Sequence, residues 1–597
     1  MVMERCMSEN WLLINKGIAE ANSLVRELNI SQFTSRLLVN REISDLKQAR
    51  KFLFGTIEDL YDGHLMKDMD KAVAMVKSAI HSNSKIVIYG DYDCDGVNST
   101  VIFNNALRNC KANFSYYIPN REDEGYGMNS NRIRKLKEEG YELIITCDNG
   151  IAAFEQVELA KELGMEVIIT DHHDIPIFKE ADGTVVEKFP EADAVVNPKR
   201  PDCGYPFKKL CGAGVALKFV QCLYEALGMS KEKSYELLEF AAIATVCDVV
   251  DLVDENRIIV KEGLKRINKT ENLGLKALMQ QTNLEEKTIS AYHLGFIIGP
   301  CVNATGRLET ADLSVELLLT RDAERANELA KELHELNQRR QDMTTESVEL
   351  IERQIEHNNM TKDKVLVVYN DRIHESIAGI VAGRIREKYN VPAIVLTKGK
   401  EMAKGSGRSI EEYNMFEELS NCKEYLDKFG GHPMAAGLSI ELDNIPKLRE
   451  KLLKTCRLKD EDIVPKIRID LKLPLSYINE QVVNELDELE PFGKGNTTPI
   501  FGEKNVEVLR LWTIGKEKNI LKFRFKILGS NYSMDGICFN KYEDFREQFI
   551  DKYGEEAFLN ILDSSFCNFK MDFLFYPSVN EYNGNKSLQV IIKSIRL

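Results

Sequence analysis

Three hydrophobic, strand-like runs in the first third of the chain each end in side chains that bind metal ions. KIVIYG leads into Asp91, Asp93 and Asp95, ELIIT into Cys147 and Asp148, and EVIIT into Asp171, His172 and His173. Strands of an open parallel sheet deliver their ends to one crevice, so residues distant in sequence can share ions there. The intervening segments VNSTVIFNNALRN, NSNRIRKLKEEG and AAFEQVELAKELG repeat apolar residues at three-to-four spacing and predict helices. From Lys85 to about Arg200 the pattern is β-α-β-α-β. Its continuous apolar strands predict a doubly wound parallel sheet covered on both faces.

The three aspartates of DYDCDG alternate, and Gly96 permits a sharp departure into the next helix. Carboxylates with imidazole suit Mn²⁺. A calcium loop beginning at Asp91 would carry glutamate at its twelfth position, where this chain has Ile102, so that reading fails. Asp148, in CDNG, is placed to bridge two ions. Of His172 and His173, one can ligate a metal while the other, protonated, contacts a phosphate oxygen. Asp248, in TVCDVVD, would complete the set. Any one of these motifs alone is most often a solvated turn or a surface histidine. Four in order, most of them at strand ends, outline a two-metal phosphoesterase, in which ions activate water for in-line displacement at phosphorus.

A chain of 597 residues exceeds one core and predicts three or four domains. Its net charge of −15 counts against non-specific coating of duplex DNA, although a local Lys/Arg groove can still guide a strand. No apolar stretch reaches about 18 residues and the first residues lack a signal-peptide pattern, so a cytoplasmic protein without a membrane segment is expected. Thirteen cysteines, an odd number with no C-x-x-C pair, indicate neither a disulfide framework nor a zinc ribbon.

Arg321 to Asn358 contains no Gly or Pro and repeats apolar residues at helical spacing, which predicts one helix of about 50 Å. A second α/β unit follows, through KVLVVYN, SIAGIVAGRIREKY, PAIVLTKG and two glycine-rich loops, AKGSGRSI and FGGHPMAAG. Beyond about Phe501, NILKFRFKILG, MDFLFYPSV and SLQVIIKSI alternate like short strands, with a turn at Asn583-Gly584, and suggest a small barrel. Trp512, Phe523, Phe525, Phe575 and Tyr582 are candidates to stack on bases there.

DYDCDG, CDNG, DHH and Asp248, joined by YIPNREDEGYG, LCGAGVALK, GPCVNATGRL, HESIAGIVAGR, GSGRSI, FGGHPMAAG and PFGKGN, resemble the RecJ family of single-stranded-DNA-specific exonucleases in the DHH phosphoesterase superfamily. The resemblance runs from about residue 40 to the end. It implies a DHH catalytic domain over 76–320 behind an N-terminal helical extension over 1–75. A connecting helix over 321–358, a DHH-associated domain over 359–457 and an oligonucleotide-binding (OB) barrel over 458–597 would follow.

Carried over by position, the resemblance makes Asp91, Asp93, Asp95, Asp148, His172 and Asp248 the ligands of two Mn²⁺ or Mg²⁺ ions. His173 and Arg307 would stabilise the scissile phosphate, with Asp148 and these two as the catalytic group. Arg121, Ser406, Arg408 and His432 would line the nucleotide and 5′-phosphate pocket, Arg121 being equally readable as a structural ion pair. The implied activity is release of nucleotides from the 5′ end of single-stranded DNA in repair and recombination. A monomer that encloses its own cleft is expected, with a helicase and a single-strand-binding protein as candidate partners. One departure is Cys301, where the family pattern has arginine, which raises the expectation of a weaker phosphate grip; Cys94 and Cys247 flank expected ligands and are read as packing residues. A DHH hydrolase of small oligoribonucleotides or cyclic dinucleotides is the competing enzyme reading, and a repair scaffold that keeps the fold is the non-enzymatic one. The length and barrel oppose the first, and the intact motifs oppose the second.

Overall fold

The computed structural model describes residues 9–121, 124–125, 127–179, 184–564, 567–582 and 585–597. The chain forms two compact units, Asp59–Val464 and a second that joins Met1–Glu58 to Pro465–Leu597.

The larger unit begins with helix α1 (Met69–Ser82) and a parallel sheet of β1 (Ile86–Tyr89), β2 (Phe114–Tyr117), β3 (Leu143–Cys147), β4 (Glu166–Thr170) and β5 (Ala194–Val196). The strand order is β2-β1-β3-β4-β5. The chain moves outward from β1 to β2 and then crosses back to β3, so the ends of β1 and β3 flank a topological switch point. Strands β1 and β3 are buried along their whole length, as their unbroken apolar runs require. Helices α2 (Cys94–Asn109), α3 (Ser130–Glu138) and α4 (Phe154–Glu162) make the crossovers. Asp93 caps α2, and a Cβ at Gly96 would stand 2.5 Å from the Asp91 carbonyl oxygen, so only glycine lets the chain double back there. Helices α5 (Gly212–Ala226), α6 (Leu238–Cys247) and α7 (Gly299–Leu308) complete the catalytic half.

Helix α8 (Ala323–His357) has 35 residues, a length of about 52 Å. Its first half buries Ala326, Leu329, Ala330 and Leu333 in the catalytic half, and its second half puts Ile351 and Ile355 into the core of the next domain. That domain is a mixed sheet of β6 (Leu366–Tyr369), β7 (Ala393–Lys398), β8 (Ala403–Arg408), β9 (Leu426–His432) and β10 (Ala435–Ile440), in the order β9-β10-β8-β7-β6 and covered by α9 (Ala378–Tyr389). Here a sequence expectation is corrected. The two glycine-rich segments are not loops but strands β8, β9 and β10, paired in antiparallel register. Their glycines leave parts of the sheet bare beneath a pocket, a role that turn propensity does not reveal.

In the second unit β11 (Leu471–Lys472), β12 (Phe501–Ile514), β13 (Ile520–Lys526), β14 (Ser533–Cys538), β15 (Phe569–Tyr582) and β16 (Asn585–Arg596) follow the order β11-β12-β13-β14-β16-β15. Pairing of β12 with β15 closes the barrel, and β14 runs parallel to β16, as in an OB fold. Phe523, Phe525 and Phe575 are fully buried in it and are removed from the stacking candidates. Trp512 is half-buried, with Arg510, Lys522 and Arg524 at 5.1, 5.6 and 5.8 Å from its ring centre. The Tyr582 side chain and the Asn583-Gly584 turn lie outside the described residues.

The expected N-terminal extension over 1–75 is divided between the units. Asn10–Leu13 pairs in parallel with Lys466–Ile469, and Leu24, Phe33, Leu37 and Leu38 share the barrel's core, whereas α1 belongs to the catalytic unit. The apolar faces of these helices were legible, but their partner lies more than 400 residues away along the chain. Among the described residues no helix is long and apolar enough to cross a membrane.

Lys218 of α5 is fully buried, paired with Glu255 at 2.6 Å and donating to the Tyr61 carbonyl at 2.6 Å. Removing one partner leaves a buried charge uncompensated, so Lys218→Ala is expected to lower stability by about 3–5 kcal/mol, read from the urea unfolding midpoint.

Candidate active site

The β1 and β3 ends supply the carboxylates, and backbone amides hold them in place. Asp93 accepts from the Asp95 and Gly96 amides at 2.9 and 3.0 Å, the open first turn of α2. The two Asp95 oxygens accept from the Gly212 and Ala213 amides at 2.6 and 2.7 Å, at the N-terminus of α5. A Cβ at Gly212 would lie 2.7 Å from that of Asp148, so glycine allows this approach. Asp148 itself has φ 64°, in the left-handed region that non-glycine residues adopt at some cost. The neighbouring Asn149 amide group donates to the Tyr89 and Cys147 carbonyls, both at 3.0 Å, and ties the ends of β1 and β3 together.

His172 Nε2 faces three carboxylates, at 3.1 Å from Asp148 Oδ1, 3.5 Å from Asp95 Oδ2 and 3.7 Å from Asp248 Oδ2. The imidazole also bonds to the backbone of Leu210. Ligand atoms of Asp95, His172 and Asp248 lie within 4.8 Å of one another, and so do those of Asp91, Asp93 and Asp148. The six residues expected to hold metal are therefore gathered as two adjoining trios, with Asp148 reaching towards both.

Asp171 is spoken for by the protein: it accepts from the Ile151, His172 and His173 amides and from the His173 ring. Although burial opposes a charge on His173, Asp171 at 2.7 Å raises its pKa to about 9, so the half-exposed ring is a cation at neutral pH. Burial and the neighbouring His173 push His172 down to about 3, which keeps it neutral and able to ligate. Burial, followed by repulsion from Asp93, raises Asp95 to about 6, while burial and then Asp95 raise Asp248 to about 8. Asp91 and Asp148 are pushed well above the carboxylate range by the same two causes, and Asp91 Oδ1 is buried without a hydrogen-bond partner. Such a set of oxygen and imidazole donors fits a pair of Mn²⁺ or Mg²⁺ ions. Cys94 and Cys247 meet each other behind the ligands, in a packing position.

The facing wall is cationic. Arg307 Nη1 donates to the Ser376 carbonyl at 2.8 Å and so bridges the two domains of this unit. Burial, with Arg121 and Arg340 nearby, lowers its pKa to about 10. A cavity of about 740 Å³ is lined by Arg121, Arg307, Arg384, Ser406 and Arg408. Arg121 stacks on Tyr92 at 5.2 Å, and Arg408 Nη1 donates to Ser406 Oγ at 2.9 Å. A Cβ at Gly379 would come 2.8 Å from Arg408 Nη2, so glycine brings the N-terminal turn of α9 against this pair.

His432, on β9, is exposed and lies 3.8 Å from Asp174, the residue that follows His173. Cys301 is fully buried and hydrogen-bonded to Asn337 of α8, on a different face of α7 from Arg307. Arg340 of α8 supplies a cation beside Arg307. Gly379, Gly383 and Arg384 were missed by sequence reasoning. Their signal was the four-residue spacing of glycines in HESIAGIVAGR, which bares one face of a helix.

Family models match in three places: "DHH family, N-terminal domain" over residues 85–245, "DHHA1 domain" over 362–458 and "RecJ OB domain" over 469–594. The single-stranded-DNA-specific exonuclease RecJ of Bacillus subtilis (strain 168) is 37% identical over 591 residues, covering 98% of this chain and 70% of that protein. The crystal structure of RecJ from Thermus thermophilus in complex with Mn²⁺ superposes with a TM-score of 0.79 at 26% identity, covering 98% of this chain and 79% of the other. The Mg²⁺ complex of RecJ from the same organism gives 0.73 at 25% identity, with 98% and 78% covered.

Protons held by the crowded carboxylates must leave when a cation binds. At pH 7 Asp248, near 8, is mostly protonated and Asp95, near 6, mostly ionised. Mn²⁺ binding at pH 7 is therefore expected to release about one proton or more, and affinity should rise from pH 6 to 8. Calorimetry in buffers of different ionisation enthalpy measures it, and proton-neutral binding would contradict the assignment.

Proposed function

Because this chain belongs to the RecJ family of DHH phosphoesterases, we propose that the cleft removes nucleotides from the 5′ end of single-stranded DNA. The chain is a metal-dependent exonuclease specific for single-stranded DNA. The observation that carries the directional reading is the proximity of two groups, six metal-type side chains and a pocket lined by Arg121, Arg307, Ser406 and Arg408, with Arg121 acting on Asp91 and Asp93 on Arg307.

In this reading Asp91, Asp93, Asp95, Asp148, His172 and Asp248 hold the two ions. The chemistry that a bound ion pair supplies is water activation and charge compensation at phosphorus. His172 presents Nε2 to the ions because its other edge is bonded to the Leu210 backbone. His173, held by Asp171 as a cation, offers a charge-assisted bond to a non-bridging phosphate oxygen. Arg307 adds a second such donor from the opposite wall. Ser406, Arg408 and the first turn of α9 form an anion site suited to a terminal 5′ phosphate. A terminal phosphate anchored there leaves a following phosphodiester to reach the carboxylates, which makes the cut exonucleolytic. The cations around Trp512 suit the barrel for holding single strand by stacking and charge. The same proposal puts the reaction in the cytoplasm, alongside a helicase and a single-strand-binding protein.

With Mn²⁺ present, single strands labelled at the 5′ end should lose label as mononucleotide from the outset, whereas 3′-labelled strands should shorten stepwise and a dinucleotide should be turned over poorly. Early release of the 3′ label would reverse the proposed polarity. Asp148→Ala is expected to abolish cleavage with an unchanged circular dichroism spectrum, and retained turnover in the purified variant would remove it from the catalytic set. Arg408→Ala should reduce by about tenfold or more the preference for 5′-phosphorylated over 5′-hydroxyl ends, as loss of a charge-assisted hydrogen bond implies.

A further inference from the structure

A second gathering of metal-type side chains stands at the other end of α5 from Asp95. Cys222 and Glu225 are three residues apart on this helix and share a face. Asp62 and His64 belong to the turn before α1, and Asp70 to the first turn of α1. One ligand atom from each of Asp62, His64 and Cys222 lies within 4.8 Å of the others. From the amides that hold Asp95 to Cys222 is about 15 Å along the helix, so this group is separate from the catalytic cleft.

Three features favour an ion over a simple ion-pair cluster. Cys222 is 1% exposed, is a free thiol, and has no hydrogen-bond partner among the described residues, yet its sulfur points into the group. Gly63 brings the Asp62–His64 turn down onto it, since a Cβ at 63 would stand 2.7 Å from Cys222 Sγ. Both edges of the His64 ring are used, Nδ1 bonded to Asp70 and Nε2 at 3.3 Å from Glu225. Whichever nitrogen takes an ion, a carboxylate holds the other, the usual support of a ligating imidazole. Ligands on a tetrahedral zinc are about 3.3–3.8 Å apart, given bonds of about 2.0–2.3 Å, and the Nε2 to Glu225 separation falls at that edge.

We propose that Asp62, His64 and Cys222, with Glu225 or Asp70 as fourth ligand, form a zinc-type transition-metal site. A thiolate and an imidazole select zinc-type ions, while the all-oxygen and imidazole set of the cleft suits Mn²⁺ and Mg²⁺, so the two sites sort metals by ligand chemistry. With four protein ligands the site is structural and staples the turn before α1 to the last turns of α5, the helix whose first turn orients Asp95.

The test uses the full-length enzyme saturated with Mn²⁺ and titrated with Co²⁺ as a spectroscopic substitute for zinc. A thiolate-to-cobalt charge-transfer band is expected in the wild type and should be lost in Cys222→Ala. His64→Gln and Asp62→Asn alter exposed side chains and keep the test valid if Cys222→Ala does not fold. Each should weaken Co²⁺ binding by about tenfold or more. Zn²⁺ should raise the thermal midpoint of the wild type but not of His64→Gln, whose Mn²⁺-dependent exonuclease rate should be unchanged. No sulfur charge-transfer band in the wild type, its persistence in Cys222→Ala, or wild-type affinity in His64→Gln would each overturn the proposal.

Discussion

Five carboxylates drawn to one crevice repel one another, and the catalytic half is organised around holding that repulsion. Asp93 and Asp95 take amide hydrogens from the first turns of α2 and α5, where helix ends leave N–H groups without internal partners. Each carboxylate thereby gains donors without a side-chain cation that would compete with metal. Glycine recurs where backbone must come within touching distance of a ligand, at Gly96 against Asp91 and at Gly212 against Asp148. The left-handed Asp148 is held there by the buried Asn149 beneath it. The parallel sheet matters chiefly because its switch point brings the β1 and β3 ends together at all.

The opposite wall uses the same device with the sign reversed. Arg307 is buried beside Arg121 and Arg340, and its lowered pKa records first that burial and then the neighbouring cations. Arg408 is held by a neutral partner, Ser406, and by the Gly407 carbonyl. None of these groups is quenched by a carboxylate of its own wall in the bonds described, so their charge remains directed at the cavity. Helix α8 joins the two domains of this unit: it is rooted in the catalytic core at one end and in the neighbouring domain's core at the other.

Much of this was legible in the sequence because the informative positions follow continuous apolar strands, and a strand end followed by clustered aspartates has few structural uses. Asp91, Asp93, Asp95, Asp148 and His172 were found that way, Asp248 came from the helical segment TVCDVVD, and the structure brings the six together. What was not legible depends on partners rather than on local pattern. Phe523, Phe525 and Phe575 alternate like exposed aromatics of a binding face, but closure of the barrel turns them inward. The glycines of β8 to β10 look like turn formers until antiparallel pairing makes them a bare floor. Cys301 invites comparison with a lost arginine, and only the packing of α7 on α8 shows that its thiol is buried against Asn337. The helices before residue 58 belong with a barrel that begins more than 400 residues later, a pairing that no local window contains.

The net charge of −15 describes neither wall of the cleft. One wall concentrates carboxylates whose pKa values burial and mutual repulsion have raised, and the other concentrates guanidinium groups whose pKa values burial has lowered. Each is an electrostatically unfavourable arrangement alone, kept in place by the surrounding packing. Divalent ions would relieve the first and a phosphate anion the second. An anionic strand would meet repulsion from bare carboxylates, yet with ions in place the same surface attracts it. Metal and nucleic acid should therefore bind with positive coupling, each lowering the cost that the other would otherwise meet, and duplex-coating affinity is not needed for productive engagement.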